Sequence, residues 1–200
     1  MTHPRDHVQK ASDVLLEALR DTEDATITVG RLTRAIGDRA FGLILLLFAL
    51  PNCVPAPPGL GSIMGLPLAL FGIQLALGRR IPWLPGFLAR RRFQRDVLLR
   101  LVERGLPYIR KIERVCRPRM TFITGPKGER IFGIIITILA SAILIPLPLT
   151  NFIPALGIGI IALGLLEEDG VTALIGVLVG TTGLAIVAAV LIGTFELVFG

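Results

Sequence analysis

Histidine and cysteine, which most often bind transition metals or act as nucleophiles, are scarce in this sequence and occur only twice each. His3 and His7 lie near the N-terminus, and no cluster of Cys, His and carboxylates has metal-site spacing. No nucleophile is paired with a base, and residues 125–128 lack the spacing of a phosphate-binding loop. We therefore expect no enzymatic activity, no metal and no cofactor.

The two cysteines also exclude a disulfide-stabilised scaffold. Cys53 falls within an apolar run and Cys116 within a strongly basic segment, so the two occupy different environments. A bond between them would also need an oxidising compartment. Both are expected to be free thiols.

Charged residues are missing from three long stretches. Residues 41–78, 131–166 and 170–195 contain no Asp, Glu, Lys or Arg. The chain of 200 residues is 52% hydrophobic and has a mean hydropathy of +0.72, well above the globular average. Apolar runs of this length are typical of segments that lie in lipid. The sequence therefore predicts an integral membrane protein.

The charges that are present concentrate between the first two apolar runs. Residues 79–130 carry 15 Lys or Arg and 4 Asp or Glu, a net charge of +11 against +6 for the whole chain. The positive-inside rule makes this segment cytoplasmic. No apolar run follows the first basic residues, so we expect no signal peptide and a cytoplasmic N-terminus in a multi-pass protein.

Two stretches of the chain, 37–80 and 128–169, repeat one another. An offset of 91 residues lays Gly37, Arg39, Phe41, Gly42, Pro55 and Pro57 on Gly128, Arg130, Phe132, Gly133, Pro146 and Pro148. After a gap of four residues, Pro67 and Gly72 match Pro154 and Gly159. Broken apolar hairpins from a duplicated unit are found in membrane transport folds.

Each repeat is expected to form a broken helical hairpin. Residues 41–54 would make a helix of about 21 Å, shorter than the hydrocarbon core of about 30 Å. Prolines then interrupt the helix at Pro51, Pro55, Pro57 and Pro58, and a return helix is predicted over 62–77. The second hairpin repeats the design over 131–145 and 155–166. Each hairpin is either re-entrant or a pair of spans completed by extended proline segments.

Other segments have simpler patterns. Residues 8–20 predict an amphipathic helix, and Thr28 is expected to cap a second helix over Val29–Ile36 that Gly37 ends. Residues 97–116 form a basic amphipathic stretch, which we expect to bind anionic lipid headgroups rather than nucleic acid. Trp83, which precedes this stretch, is expected to anchor the chain at the membrane interface. Residues 171–199 are long enough to cross once, and a further hairpin is the alternative.

The predicted fold is an all-α membrane protein built from two tandem repeats, each an amphipathic helix plus a broken hairpin, and a C-terminal membrane helix. Its segments are the N-terminal amphipathic helices (1–36), the first hairpin repeat (37–80), the basic segment (81–127), the second hairpin repeat (128–169) and the C-terminal helix (170–200). Gly176 and Gly180 have the spacing of a helix-dimer motif, so a homodimer is one option.

Four blocks of the sequence resemble the ExoD family, which is named for exopolysaccharide synthesis. They are GDRAFGLILLLFALPN, GLPLALFGIQLALGRRIPWLP, RVCRPRM and PLPLTNFIPALGIGIIALGLLEEDG, and the resemblance runs over about 14–180. Trp83, Pro118, Asn151 and Asp169 occur at the family's spacing. The resemblance implies a bacterial inner-membrane protein linked to polysaccharide production, and it assigns no reaction and no functional residues.

Charged residues border both hairpins at matching places. Arg39 and Arg130 either snorkel to fix helix depth or face each other and bind an anionic group, with Asp38 and Glu129 adjacent. Glu167, Glu168 and Asp169 end the second hairpin as solvated interfacial charge, or one of them accepts a proton or pairs with Arg79, Arg80 or the basic segment.

Polar residues and prolines mark the breaks. The candidates for a solute path or for hairpin tips are Asn52, Pro55, Pro57, Ser62, Gln74, Pro146, Pro148, Asn151 and Pro154. A carboxamide in hydrocarbon either satisfies freed backbone groups or helps to line a path where broken helices expose carbonyls and dipole ends.

Transport or permeation of an ion or small solute in support of exopolysaccharide synthesis is the predicted function. The alternative is a non-transporting assembly or regulatory subunit, in which the basic segment docks polysaccharide-synthesis proteins. An enzyme acting on lipid-linked sugars ranks third, because the chain lacks an acid and base pair.

Overall fold

The computed structural model of the chain describes residues 26–53, 60–97, 99–100, 103–104, 116, 118–145 and 150–199. The predicted helix over 8–20, both histidines, most of the stretch 97–116, and Pro55, Pro57, Pro58, Pro146 and Pro148 lie outside the described residues. The chain divides into two compact units, one formed by Met1–Gly37 and Leu84–Val115 and the other by Asp38–Trp83 and Cys116–Gly200.

Most described elements are helices. In chain order they are β1 (Thr26–Thr28), α1 (Val29–Ile36), a 3-10 turn (Gly37–Arg39), α2 (Ala40–Asn52), α3 (Leu60–Ala76), α4 (Gly86–Ala89), β2 (Arg92–Gln94), α5 (Pro126–Leu144), α6 (Phe152–Leu166) and α7 (Gly170–Phe199).

The first unit contains the two strands, which the sequence analysis did not predict. β1 and β2 pair antiparallel, with Ile27 opposite Phe93, and the Ile27 side chain is buried. The expected capping of α1 is confirmed: the Arg31 N–H donates to Thr28 Oγ1 at 3.3 Å, and Gly37 ends the helix at a φ of 65°. The backbone of Val29 also donates to the Arg91 carbonyl at 3.1 Å, which continues the strand pairing into the helix start.

Four helices of the second unit lie close to the predicted hairpin arms. α2, α3 and α6 match the expected ranges within about two to three residues, the usual uncertainty of a helix end. α5 begins five residues before the expected start at 131, because Gly125 is extended and Pro126 suits the first helical position. α7 is one continuous helix, so the alternative of a third hairpin is wrong.

These four helices pack antiparallel in two pairs, α2 with α6 and α3 with α5. A methyl group added at Gly42 would lie 2.9 Å from the Ala162 carbonyl oxygen, and one added at Gly72 would lie 2.8 Å from Thr137 Oγ1. At Gly133 it would fall among backbone atoms of Ala76 and Leu75. The missing side chains therefore let the helix backbones approach closely and place the start of each helix beside the end of its partner.

α7 packs antiparallel on α6 by the same means. A methyl group at Gly164 would lie 2.5 Å from the Ala173 nitrogen, and one at Gly157 would overlap the backbone of Gly180. Gly176 likewise contacts the backbone of Ile161. The Gly176 and Gly180 pair, which the sequence suggested as a dimer motif, thus forms a contact within the chain.

One described helix is long and apolar enough to cross a membrane by length and composition. It covers Gly170–Glu196, 27 residues with a mean hydropathy of 2.5, and only 22% of its most apolar window is buried. Shorter apolar helices occur over Ala40–Asn52, Ile63–Ala76 and Phe152–Leu166.

The close approach of α6 and α7 predicts that Gly164→Ala destabilises the protein by about 1–3 kcal/mol, as overpacking does. Gly193→Ala is the matched control, since no atom of the described residues lies within 4 Å of the added methyl group. Thermal unfolding of the detergent-purified protein measures both. Equal melting temperatures for the two variants would contradict the packing described here.

Candidate functional site

The antiparallel order gives the second unit two chemically different ends. The starts of α2 and α5 and the ends of α3 and α6 form the charged end, where Arg39, Arg80, Arg130, Glu129 and Glu168 lie. The end of α2 and the start of α6 form the tip end, where Asn52 and Asn151 lie. Candidates that are far apart in sequence are therefore collected into two groups.

The charged end contains a cavity of about 390 Å³. It is lined by Arg39, Gly78, Arg80, Thr121, Thr124, Gly125, Pro126, Glu129, Arg130, Leu165 and Glu168. Arg39 and Arg130, which occupy matching places in the two sequence repeats, thus line one cavity. Three guanidinium groups and two carboxylates give its wall a net positive charge.

Arg39 pairs with Glu168 across this cavity. Arg39 Nη2 lies 3.6 Å from Glu168 Oε1, and the side chains are 13% and 48% exposed. A half-exposed pair at this distance contributes about 1 kcal/mol or less to stability. The sequence suggested that a basic residue would pair with these acids, but it named Arg79, Arg80 and the basic segment rather than Arg39.

Glu168 adopts a backbone conformation that side chains other than glycine rarely take. Its φ is 54°, and it ends α6 in a Schellman motif in which the Asp169 N–H donates to the Gly164 carbonyl at 2.8 Å. α3 ends in the same motif with Gly78, at a φ of 76°, as its left-handed residue. A glycine at position 168 would remove the strain, so the backbone conformation of Glu168 lowers the stability of the folded protein.

Arg130 lies against the C-terminus of α3. A methyl group at Gly78 would lie 2.5 Å from Arg130 Nε, so a larger residue would displace the guanidinium group from this place. The negative end of the α3 dipole favours a cation here. Gly78 therefore has two roles, since it terminates α3 and admits Arg130 to the cavity wall.

Glu167 and Asp169 are buried, so the expectation that all three acids are solvated is wrong for these two. Asp169 caps α7: Oδ1 accepts from the backbone of Val171 at 3.0 Å, and Oδ2 accepts from the Thr172 hydroxyl at 2.9 Å. An aspartate at this position satisfies amides that the first turn of a helix leaves unpaired. Its role in the described structure is to start α7.

Cys116 and Cys53 are free thiols, as expected. Cys116 is buried, with Sγ 3.7 Å from Thr172 Oγ1. Burial raises the pKa of the Cys116 thiol, the hydrogen bond with Thr172 lowers it, and the charges of Asp169 and Glu167 raise it further. The neutral thiol is therefore favoured, which agrees with a packing role.

At the tip end, two carboxamide oxygens are buried without a partner among the residues that the structure describes. Within the described part of the chain, Asn52 Oδ1 and Asn151 Oδ1 accept no hydrogen bond. The Asn52 side chain is 6% exposed, and its Nδ2 donates to the Phe48 carbonyl at 3.0 Å. Asn151 precedes α6 but makes no side-chain capping bond. Buried polar groups in proteins are nearly always paired, so these two exceptions mark the tip end as a candidate site.

Gln74 does not belong to this group. It is buried near the end of α3, opposite the tip end, where its Oε1 accepts from the Trp83 N–H at 2.6 Å and its Nε2 donates to the Trp83 carbonyl at 3.2 Å. The carboxamide thus satisfies freed backbone groups and holds the segment after α3, while the Trp83 side chain stays half-exposed. The other alternative, that Gln74 lines a solute path, stays a prediction.

Pro154 also has a packing role, because it contacts Gly183 of α7 within the first turn of α6. Ser62 lies in α3, and its side chain is outside the description. Sequence analysis missed Gly78, Thr121 and Thr124 as cavity residues. Thr124 is buried, and its hydroxyl lies 3.2 Å from the Thr121 carbonyl oxygen. No pattern marks these residues, since their placement depends on how α5 meets the ends of α3 and α6.

The backbone strain at Glu168 predicts an order of stability among its variants. The free energy of unfolding of Glu168→Gly should be about 1 kcal/mol higher than that of Glu168→Ala, because only alanine keeps a side chain at positive φ. Both variants lose the pair with Arg39, so that loss cancels in the comparison. Chemical or thermal unfolding in detergent measures the difference, and an alanine variant as stable as the glycine variant would exclude strain at this residue.

Comparison with known proteins covers most of these residues. A family model described as "Exopolysaccharide synthesis, ExoD" matches residues 11–189. The chain is 30% identical over 170 residues to Protein ExoD of Rhizobium meliloti, covering 82% of this chain and 70% of that protein. It is 29% identical over 176 residues to an uncharacterized protein of Synechocystis, covering 87% of this chain and 79% of that protein. No solved structure matches it.

Proposed function

Because this chain belongs to the ExoD family of exopolysaccharide synthesis, we propose that it is a bacterial inner-membrane protein through which an ion or small solute permeates in support of that synthesis. The observation that carries the proposal is the pair of carboxamide oxygens at the tip end that accept no hydrogen bond within the described chain.

The outer surface of the helices supports a position in lipid. Large apolar side chains are exposed on each of the long helices, among them Leu47, Leu50, Ile63, Leu66, Ile131, Ile134, Leu178 and Phe195. Apolar surface repeated around a bundle is unfavourable in water and favourable in hydrocarbon. The apolar part of α7 supports the same position, since its 27 residues extend about 40 Å and exceed the hydrocarbon core of about 30 Å.

Two of the four predicted hairpin arms, α2 and α6, are too short for complete spans, which supports re-entrant hairpins, whereas α3 and α5, of 17 and 19 residues, extend about 26 and 29 Å. α2 has 13 residues and α6 has 15, so they extend about 20 and 22 Å. Each hairpin begins and ends at the charged end, which the basic character of 79–130 makes cytoplasmic. In this arrangement α7 crosses the bilayer once, while the tip end with Asn52 and Asn151 lies within the hydrocarbon.

An unpaired polar group at such a depth in the bilayer is unfavourable. A buried acceptor without a donor destabilises a protein by about 1–3 kcal/mol, and Asn52 and Asn151 each keep one. The two lie at the same end of the antiparallel pair α2 and α6. Amide oxygens are suitable ligands for hard cations and for donor groups of polar solutes. The tip end therefore has the chemistry of a path for a cation or for a small solute with hydrogen-bond donors.

Asn52→Leu and Asn151→Leu give the test of this function. Leucine has a similar shape and no acceptor, so each variant should lower ion flux into proteoliposomes by at least about tenfold while its melting temperature stays equal or rises. Flux is measured with potassium and sodium gradients and with a small neutral polyol. Thr181→Val is the control, because the Thr181 hydroxyl is exposed on α7 and donates to the Val177 carbonyl at 2.9 Å.

A structural role for the two asparagines would give the opposite result. The leucine variants would then unfold at lower temperature and keep full flux when folded. No flux by the wild-type protein for any of these probes would favour the assembly or regulatory subunit. The first unit offers that alternative a docking surface, since Arg90, Arg91 and Arg92 are consecutive and exposed beside the half-exposed Phe93.

The arrangement also predicts which residues are reachable from each side of the membrane. In a variant without Cys53 and Cys116, a cysteine at Lys127 should react with a membrane-impermeant maleimide only from the cytoplasmic side. A cysteine at Glu196 should react only from the periplasmic side, because α7 crosses once. Labelling of both positions in intact cells and in inverted vesicles measures this. Reaction of both from the same side would exclude a single crossing by α7.

A further inference from the structure

We propose that the cavity at the charged end binds an anion that carries a phosphate group, either the headgroup of an anionic phospholipid or a free phosphorylated solute. The site is made of residues at the ends of α3 and α6 and the starts of α2 and α5, and it is separate from the tip end. It does not depend on permeation through the protein.

The charge of the cavity wall is the first argument. Arg39 pairs with Glu168, which leaves Arg80 and Arg130 as exposed guanidinium groups on the wall. Within the described chain, neither of these two makes an ion pair or a side-chain hydrogen bond. Guanidinium groups bind phosphate oxygens in a bidentate geometry that suits this planar donor.

The start of α5 adds to the same potential. Gly125, the N-cap residue of α5, and Pro126 belong to the cavity wall. A helix of 19 residues places partial positive charge at its N-terminus. The effect alone would not define a site. Here it acts in the same cavity as three arginines, together with the exposed Thr121, whose hydroxyl is a further donor.

The way in which the arginines are held is the second argument. Arg130 occupies the space that the missing side chain of Gly78 leaves, and Arg39 is held by Glu168 from a strained backbone position. A residue that only snorkels to water needs neither a glycine beneath it nor a strained partner. Arg39, whose side chain is 13% exposed and paired, is thus ordered on the cavity wall before any anion arrives, which lowers the entropy lost on binding. Arg130 is exposed, so its guanidinium group is accessible to the phosphate.

The size of the cavity is compatible with more than a bare phosphate ion. Its volume of about 390 Å³ lies within the range of about 300–1,000 Å³ typical of small-molecule sites. The rest of a headgroup or of a phosphorylated solute would therefore have room beside the phosphate. The two carboxylates, Glu129 and Glu168, can accept hydrogen bonds from hydroxyl groups of such a ligand.

The chain provides two matched pairs of variants for the test. Arg80 and Arg130 line the cavity, whereas the neighbouring cations Arg79 and Lys127 are exposed outside it. Arg80→Gln can thus be compared with Arg79→Gln, and Arg130→Gln with Lys127→Gln. Each pair removes one positive charge from nearly the same place, so a diffuse attraction of anions would affect both members equally.

Binding is measured on the full chain purified in neutral detergent. Native mass spectrometry counts bound phosphatidylglycerol, with phosphatidylcholine as the neutral comparison, and thermal shift at constant ionic strength measures inorganic phosphate against chloride. Arg80→Gln and Arg130→Gln should weaken binding at least about fivefold, as loss of a charge-assisted contact does. Arg79→Gln and Lys127→Gln should bind like the wild type.

The two probes also identify the source of the phosphate. Retention of phosphatidylglycerol without a response to inorganic phosphate would assign the site to a lipid headgroup, and the reverse would assign it to a free solute. Equal losses in all four variants, or binding of neither probe by the wild type, would overturn the proposal. Melting temperatures of the unliganded variants verify folding, which exposed substitutions of this kind should leave unchanged.

Discussion

Close contact between helix backbones is the constraint on which the second unit depends. Gly42 lets α2 approach α6, and Gly72 and Gly133 let α3 and α5 approach each other. Gly164 does the same for α6 and α7. These contacts fix which helix end lies beside which. Because the pairs are antiparallel, one end collects arginines and carboxylates while the other collects Asn52 and Asn151. The chemistry of both ends therefore follows from packing that involves almost no polar side chains.

Local signals in the sequence predicted the helices well. Apolar runs bounded by prolines or charges gave α2, α3 and α6 within about two to three residues, and Thr28 with Gly37 gave both ends of α1. The three-residue strands were not predicted, because Thr26–Thr28 is too short to show an alternating pattern. Their pairing also depends on residues that lie far away along the chain.

The sequence predicted some residues of the candidate site but not the contacts that they make. Matching positions in the repeats pointed to Arg39 and Arg130, and the breaks pointed to Asn52 and Asn151, but nothing local showed that Gln74 binds the backbone of Trp83. The left-handed backbone of Glu168 was not predicted either, since that conformation is expected first of glycine. These contacts and this backbone conformation form where the ends of different helices meet, so the propensities of one segment do not predict them.

The unequal lengths of the helices have an electrical consequence. α7 has 30 residues, whereas α2 has 13 and α6 has 15, so in the proposed membrane position the short arms leave part of the bilayer unfilled beside one long helix. A charge that crosses 100 mV changes its energy by about 2.3 kcal/mol, in proportion to the share of the voltage that it passes. Because α2 and α6 extend about 20 and 22 Å, the tip end would lie about two thirds of the way across a hydrocarbon core of about 30 Å. Any cation at Asn52 and Asn151 would therefore have passed a large share of the transmembrane voltage.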